Sequence, residues 1–212
     1  MTSIRKHIER LDFDKLPARS DTVFGIALAV LALVRLGYEY RRILFLTGPN
    51  SAVDFDYFYR WTQQWYTPSA EHSGGFFQAY FPATYALFWP LLGWLPRDEA
   101  RYLWAAAITF CLILLVILFV RELPVRTRRS QTLGALFILA IYPTAITIGN
   151  GQLTLFALLP LLAAMIVMRD KPPGWRRAII AGVLLALALI KPQLTLPFFW
   201  LVLWHFRLSL IH

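Results

Sequence analysis

Residues 101–120 read RYLWAAAITFCLILLVILFV. This run approaches the ~20 apolar residues that an α-helix needs to cross about 30 Å of hydrocarbon. The composition of the whole chain agrees, because 58% of its 212 residues are hydrophobic and 16% are charged, whereas soluble domains average about half apolar and about a quarter charged. The sequence therefore predicts an all-α integral membrane protein, built as a polytopic helical bundle.

Six runs have the length and hydropathy of membrane-crossing helices, so we predict about six transmembrane helices in a single transmembrane domain over residues 1–212. The predicted spans are Thr22–Tyr40, Arg101–Val120, Thr132–Ile148, Leu153–Met168, Arg177–Ile190 and Leu194–Phe206. The apolar stretch Phe81–Leu95 is short and carries Pro82 and Pro90. There we expect a broken helix at the membrane surface rather than a further span.

The net charge of +9 is unevenly distributed, and this predicts the orientation. Basic residues collect in the amino-terminal segment and in the loops after the second and fourth spans. The positive-inside rule therefore places these parts, with the N-terminus, in the cytoplasm. We expect the protein in the cell (inner) membrane. Residues 1–21 are then a cytoplasmic amphipathic segment, and residues 41–100 an extracytoplasmic loop with interfacial helices. In a membrane protein this charge indicates contact with anionic membrane lipids, not with nucleic acid.

Asp54 is the first of several polar residues that fall on the predicted extracytoplasmic side. It begins a segment in which Phe58, Trp61 and Trp65 recur at helical spacing, and we expect this aromatic face to dip into the lipid. Asp54 has two compatible interpretations. It is the N-cap of that helix, accepting backbone N–H bonds, or it is a general base.

Gln152 and Lys191 are the other polar candidates on this side. The turn Gly149–Gln152 has glycines typical of a tight turn, and Gln152, at the start of a helix, can donate to sugar hydroxyls or phosphate oxygens. Lys191 ends a run without charges, so it either snorkels at a helix end or is the counter-ion of a phosphate. Arg35, inside the first predicted span, is expected to pair with Glu39, four residues on.

Metal and cofactor sites are not predicted. The single cysteine, Cys111, lies inside an apolar run and has no partner for an internal disulfide. The histidines lack metal-ligand spacing, and the chain has no dinucleotide-binding or phosphate-loop motif. The histidines are His7, His72, His205 and His212.

Several short motifs occur in an order that resembles a known family. They are Asp54-Phe55-x-x-Phe58-Tyr59, Tyr80-Phe81-Pro82 with Pro90-Leu91 and Leu95-Pro96, Tyr142-Pro143 leading into Gly151-Gln152, and Leu187-Ala188-Leu189-Ile190-Lys191-Pro192. In this order, over roughly 54–192, the chain resembles glycosyltransferase family 87. These are integral membrane enzymes of the GT-C type, and they include polyprenol-phosphate-mannose-dependent α-mannosyltransferases.

The resemblance implies a reaction and a set of site residues. A sugar, mannose being the best single guess, passes with inversion from a polyprenyl-phosphate donor to a lipid or glycan acceptor at the outer face. The resemblance assigns the base to Asp54, with Asp56 as the less favoured choice. It places phosphate and sugar contacts at Lys191 and Gln152. The remaining predicted substrate-binding residues are Asn150, Asp56, Tyr59 and Tyr80.

Two other functions remain open from the sequence. A flippase or transporter for a lipid-linked sugar would distribute its intramembrane charges over both halves of the bilayer, and an assembly subunit would need no catalytic base. Members of the family usually continue with more spans after the Lys-Pro motif. We therefore expect this chain to be the amino-terminal half of such an enzyme, truncated at its C-terminus.

Overall fold

The computed structural model describes residues 18–67, 80–123, 127–169 and 174–200, and the regular secondary structure of these ranges is helical. The α-helices are α1 Ala18–Phe45, α2 Val53–Gln64, α3 Pro82–Leu92, α4 Arg97–Glu122, α5 Arg128–Ala140, α6 Tyr142–Asn150, α7 Thr154–Val167 and α8 Trp175–Ala188. A 3-10 turn covers Gly48–Asn50, and residues 192–200 are helical. The predicted all-α membrane architecture is confirmed.

The first two predicted spans correspond to the long helices α1 and α4. Within the described residues, Asp21–Phe45 and Arg97–Glu122 are long and apolar enough to cross a membrane. The third predicted span is instead two helices, α5 and α6, which qualify only together and are bent by 48°. Helices α7 and α8 have 14 residues each. Two spans, or three with the bent pair, are therefore supported, and the number of six stays a prediction.

The bend between α5 and α6 has a local cause. Ile141 adopts an extended conformation, with φ −67° and ψ 142°, and Pro143 lies at the start of α6. Proline cannot donate a backbone hydrogen bond, so it is tolerated in the first turn of a helix but not in the interior. The chain therefore ends one helix at Ala140 and begins another.

Helix α3 is too short to span the bilayer. Its 11 residues extend about 16 Å at 1.5 Å per residue, roughly half of the hydrocarbon thickness. It is a continuous helix that contains Pro90, and not the broken helix expected from the sequence. It packs mainly on α2, and its Phe88 also contacts Trp104 of α4 and Phe156 of α7, which keeps it at one end of the bundle.

That end, which we call the site end, brings together three parts of the chain. Arg101 at the start of α4 donates to the carbonyl oxygens of Ile43 (3.0 Å) and Leu46 (2.7 Å) at the end of α1. Trp104 Nε1 donates to the carbonyl of Gly151, between α6 and α7, at 2.9 Å. These bonds hold the end of α1, the start of α4 and the α6–α7 turn in one layer.

The opposite end of the bundle holds the α4–α5 and α7–α8 connections. Arg129 of α5 pairs with Asp21 of α1, and Arg169 after α7 pairs with Glu122 of α4. The two ends are thus tied separately. Residues 1–17, which include most of the predicted amphipathic segment, lie outside the described residues, as do the four histidines and the second half of the last predicted span.

Aromatic side chains fill the core beneath the site end. The ring of Phe58 lies 5.5 Å from that of Phe88 and 5.3 Å from that of Trp104, and Trp104 is 4.7 Å from Phe156. Phe58 is 1% exposed, so the prediction that it dips into lipid is wrong. The apolar face of α2 packs against α3 and α4, so this face is covered by protein and not by lipid.

Arg35 does not pair with Glu39, and that prediction is also wrong. Its guanidinium lies over the Tyr142 ring at 5.7 Å and donates to the carbonyl of Ala140 at 3.4 Å. The break after α5 leaves carbonyls without an intrahelical partner, and Arg35 satisfies one of them. Glu39 pairs with Arg42 instead, at 2.7 Å.

Candidate functional site

Asp54 lies in the first turn of α2 but does not cap it. The N-cap position is Ala52, and Asp54 is the second residue of the helix, so the N-cap interpretation is wrong. Its Oδ2 instead accepts a hydrogen bond from Gln152 Nε2 at 2.7 Å. A carboxylate near a helix N-terminus is also stabilised by the helix dipole. The side chain is therefore held at the surface of α2, facing the α6–α7 turn.

The turn that carries Gln152 requires its two glycines for different reasons. Gly151 has φ +70° and ends α6 in the left-handed conformation, while a Cβ added to it would lie 2.5 Å from the Cβ of Phe55. Gly149 is helical, and a Cβ there would collide with the Glu39 carboxylate. The turn thus packs directly on α1 and α2, which brings Gln152 to Asp54.

Lys191 is turned into the site and does not snorkel away from it. It follows α8 and precedes the helical residues 192–200. Its Nζ donates to Thr154 Oγ1 at 2.6 Å and to Gln152 Oε1 at 3.4 Å. Burial lowers the pKa of Lys191, and the negative charge of Asp54 partly offsets this effect. The ammonium of Lys191 is therefore only partly solvated, and it lies close enough to the Asp54 carboxylate for the two charges to interact.

Gln152 connects the two charged groups through the two ends of one amide. Its nitrogen faces a carboxylate, which only accepts hydrogen bonds, and its oxygen faces an ammonium, which only donates. The reverse orientation would place donor against donor and acceptor against acceptor. We call this arrangement of Asp54, Gln152, Thr154 and Lys191 the site network.

Thr154 is a member of the network that the sequence analysis missed. Its hydroxyl accepts from Lys191 and lies 3.1 Å from Gln152 Oε1. The only sequence signal is its position two residues after Gln152, at the start of α7. Threonine is common near helix starts, so this spacing alone does not distinguish it.

Tyr80 also lies at the site. Its ring packs edge-on against Phe58 at 5.7 Å. Burial, with a smaller contribution from the Asp54 charge, raises the pKa of Tyr80 to about 12. The phenol is neutral near pH 7, as an unperturbed tyrosine also is, and its substrate-binding role stays a prediction.

Three other predicted substrate contacts are engaged elsewhere. Asp56 forms a two-point ion pair with Arg97, at 2.7 and 3.0 Å. The hydroxyl of Tyr59, which is 5% exposed, donates to the carbonyl of Leu95 at 2.7 Å. The side-chain oxygen of Asn150 accepts from Arg42 at 2.7 Å. Their substrate-binding roles stay predictions.

Arg42 supports the α6–α7 turn from α1, a contact that helical spacing does not predict. Besides Glu39 and Asn150, its guanidinium donates to the backbone carbonyls of Asn50 (3.2 Å) and Ser51 (3.4 Å). One side chain thus joins α1 to the segment before α2 and to the turn before Gln152. In the described part of the chain, no group of three or more His, Cys, Asp or Glu side chains could hold a metal ion.

The comparison with protein families agrees with this architecture. The family model described as glycosyltransferase family 87 matches residues 77–208, more than half of the chain. The chain belongs to glycosyltransferase family 87. The matched region contains Tyr80, Gln152, Thr154 and Lys191, and it begins after α2, so it does not include Asp54. No curated protein and no solved structure matches the chain.

Membership in family 87 gives the general activity. The protein is a membrane glycosyltransferase by family, and such enzymes use a lipid-linked sugar donor and an acceptor. The suspected resemblance is thereby confirmed.

Proposed function

We propose that the protein transfers a sugar, with mannose as the best single guess, from a polyprenyl phosphate to a lipid or glycan acceptor with inversion. Asp54 is the general base, Lys191 the phosphate partner, and Gln152 a sugar or phosphate contact. The site network carries this proposal. It joins an acid and a cation from distant parts of the sequence through a neutral amide.

The reaction needs a base and a charge-stabilising group on opposite faces of the sugar. The acceptor hydroxyl oxygen forms a bond to the anomeric carbon while the bond from that carbon to the phosphate oxygen breaks. Asp54 takes the hydroxyl proton, a role worth typically about 10²–10⁴ in rate. The polyprenyl phosphate leaves with the bonding electrons, and the ammonium of Lys191 stabilises its growing charge.

The use of a single carboxylate supports inversion. A retaining route needs a second carboxylate as nucleophile, about 5 Å from the first. Asp56 is the nearest acid in the sequence. Successive residues of a helix are about 100° apart, so Asp56, two residues on, points about 200° away from Asp54. It is also occupied by Arg97.

Lys191 is suited to a phosphate because it is partly buried. Charge–charge attraction is stronger in a medium of low dielectric constant than in water. Thr154 and Gln152 hold the ammonium in the absence of substrate, so the phosphate meets a cation already in position. The Gln152 amide offers both a donor and an acceptor, which are the groups that sugar hydroxyls require.

The charge distribution supports a site on the outer face. The end opposite the site carries clusters of arginine at the α4–α5 and α7–α8 connections, and the positive-inside rule places such clusters in the cytoplasm. The proposed location is the cell (inner) membrane, with the N-terminus cytoplasmic. The arginines are Arg121, Arg128, Arg129, Arg169, Arg176 and Arg177.

The decisive experiment replaces Asp54 with asparagine, which keeps the shape and removes the base. Transfer from a radiolabelled polyprenyl-phosphate mannose should fall by about 10²-fold or more. Asp98→Asn is the matched control, because this carboxylate also lies in the first turn of a helix at the site end and its side chain is 80% exposed. Flippase or assembly activity would survive Asp54→Asn. Persistent transfer in that variant would show that the base is misassigned.

A further inference from the structure

A cavity of about 430 Å³ opens beside α2, on another side of the helix from Asp54. Its volume lies within the range of ~300–1,000 Å³ that is typical of small-molecule sites. The lining comes from the segment before α2, one face of α2 and the start of α4, and the proposed reaction assigns no step to it. The polar and aromatic lining residues are Ser51, Asp56, Tyr57, Tyr59, Arg60 and Arg97.

The lining combines charges of both signs. The Asp56 carboxylate accepts from Arg97 at 2.7 and 3.0 Å and from the Ser51 hydroxyl at 3.1 Å. Arg60 is exposed, and its Nε donates to the Asp56 backbone carbonyl at 3.4 Å. The cavity thus presents a carboxylate and two guanidinium groups within a small volume.

This combination suits a neutral polyol. Arg97 neutralises Asp56, which leaves Arg60 to repel a cation. A free anion would meet only the exposed guanidinium of Arg60, where an ion pair is weak. Sugar hydroxyls both donate and accept hydrogen bonds, so they can use the acid and the guanidinium groups together. The Tyr57 ring, which also lines the cavity, adds an apolar surface for the C–H face of a sugar.

We propose that this cavity is a carbohydrate subsite that binds a part of the acceptor glycan that does not react. The assignment to the acceptor rests on the proposed transferase function. Val53, Asp56, Tyr57 and Arg60 are on one face of α2 by their spacing, whereas Asp54 is about 100° from Val53 around the helix. An acceptor that reaches both Asp54 and the cavity must extend by about 8 Å, the distance across 100° of a helix whose radius with side chains is about 5 Å. The acceptor is therefore an oligosaccharide, free or lipid-linked.

Binding of soluble oligosaccharides tests the subsite without any turnover. The full chain is placed in lipid nanodiscs, because maltoside detergents are themselves glycosides. The probes are methyl α-mannoside and the α-linked di- and tri-mannosides, and their dissociation constants are measured by saturation-transfer NMR. The affinity of the wild-type protein should rise with the length of the probe.

Substitution of Arg60 tests where the probe binds. Arg60→Gln should weaken trimannoside binding about tenfold, as expected for the loss of a charged hydrogen bond, and Arg60→Lys should restore part of it. Gln64→Ala is the matched control, because Gln64 is exposed on the same helix and does not line the cavity. It should bind as the wild type does. Arg60 is exposed, so its replacement leaves the core intact, and thermal denaturation verifies the fold.

Three outcomes would overturn the subsite. They are no trimannoside binding to the wild type, an affinity that does not depend on Arg60, and displacement of the probe by inorganic phosphate, which would indicate an anion site. The transferase proposal is tested separately by Asp54→Asn, which should retain trimannoside binding. Undiminished transfer by Asp54→Asn, together with weakened binding by Arg60→Gln, would refute the proposed base and leave the subsite standing.

Discussion

Replacing Gly151 with alanine should separate α2 from the turn that carries Gln152. Gly151 has φ +70°, and an alanine in the left-handed conformation costs about 1–2 kcal/mol. Its Cβ would lie 2.5 Å from the Cβ of Phe55, and such overpacking typically costs a further ~1–3 kcal/mol. We expect the free energy of unfolding to fall by about 2–5 kcal/mol. Because Phe55 follows Asp54, relief of the clash also moves the carboxylate away from Gln152.

Gly48→Ala separates the conformational cost of the substitution from the cost of the close contact. Gly48 has φ +79°, and a Cβ there meets nothing within 4 Å, so this variant should lose only the conformational part of the free energy of unfolding. Unfolding is followed by tryptophan fluorescence during titration with sodium dodecyl sulfate in mixed micelles, and transfer is measured with the radiolabelled donor. Equal destabilisation of the two variants, or full activity of Gly151→Ala, would refute the argument from close packing.

Two further predictions concern the cation of the site. Thr154→Val removes the hydroxyl that accepts from Lys191 and should lower kcat about tenfold. Thr154→Ser keeps the hydroxyl, and its kcat should stay near that of the wild type. Similar kcat values for the two variants would show that the hydroxyl is dispensable. Burial lowers the pKa of Lys191, so the ammonium is lost as the pH rises through this lowered value, and transfer should decline there. In Lys191→Arg the cation stays protonated, so the alkaline decline in the pH profile of kcat/KM should move to higher pH. A decline at the same pH as in the wild type would show that another group causes it.

The features that the sequence predicted correctly depend on length and on charge. Two long apolar runs produce α1 and α4 because hydropathy over about 20 residues alone decides whether a helix can cross a bilayer. The alternation of spans with basic loops implied that Asp54, Gln152 and Lys191 share one side, and the structure places them in one network. Their catalytic roles remain predictions.

The features that were missed depend on the choice of partner. Helical spacing showed that Phe58 and Trp65 share a face, but lipid and a protein core are equally apolar, so spacing cannot tell which one covers it. Arg35 likewise had a formal partner at Glu39, and the break after Ala140 offered a carbonyl that the sequence does not reveal. Tertiary contacts decided both cases.

The amide of Gln152 has a consequence for how the acid and the cation remain usable. An aspartate and a lysine in direct contact would neutralise one another, and a substrate would have to break that salt bridge before either could act. With a dipolar spacer between them, each group is satisfied while retaining its own charge. The sugar and phosphate of the proposed donor would then replace hydrogen bonds to a neutral amide and a hydroxyl, and no ion pair would have to break.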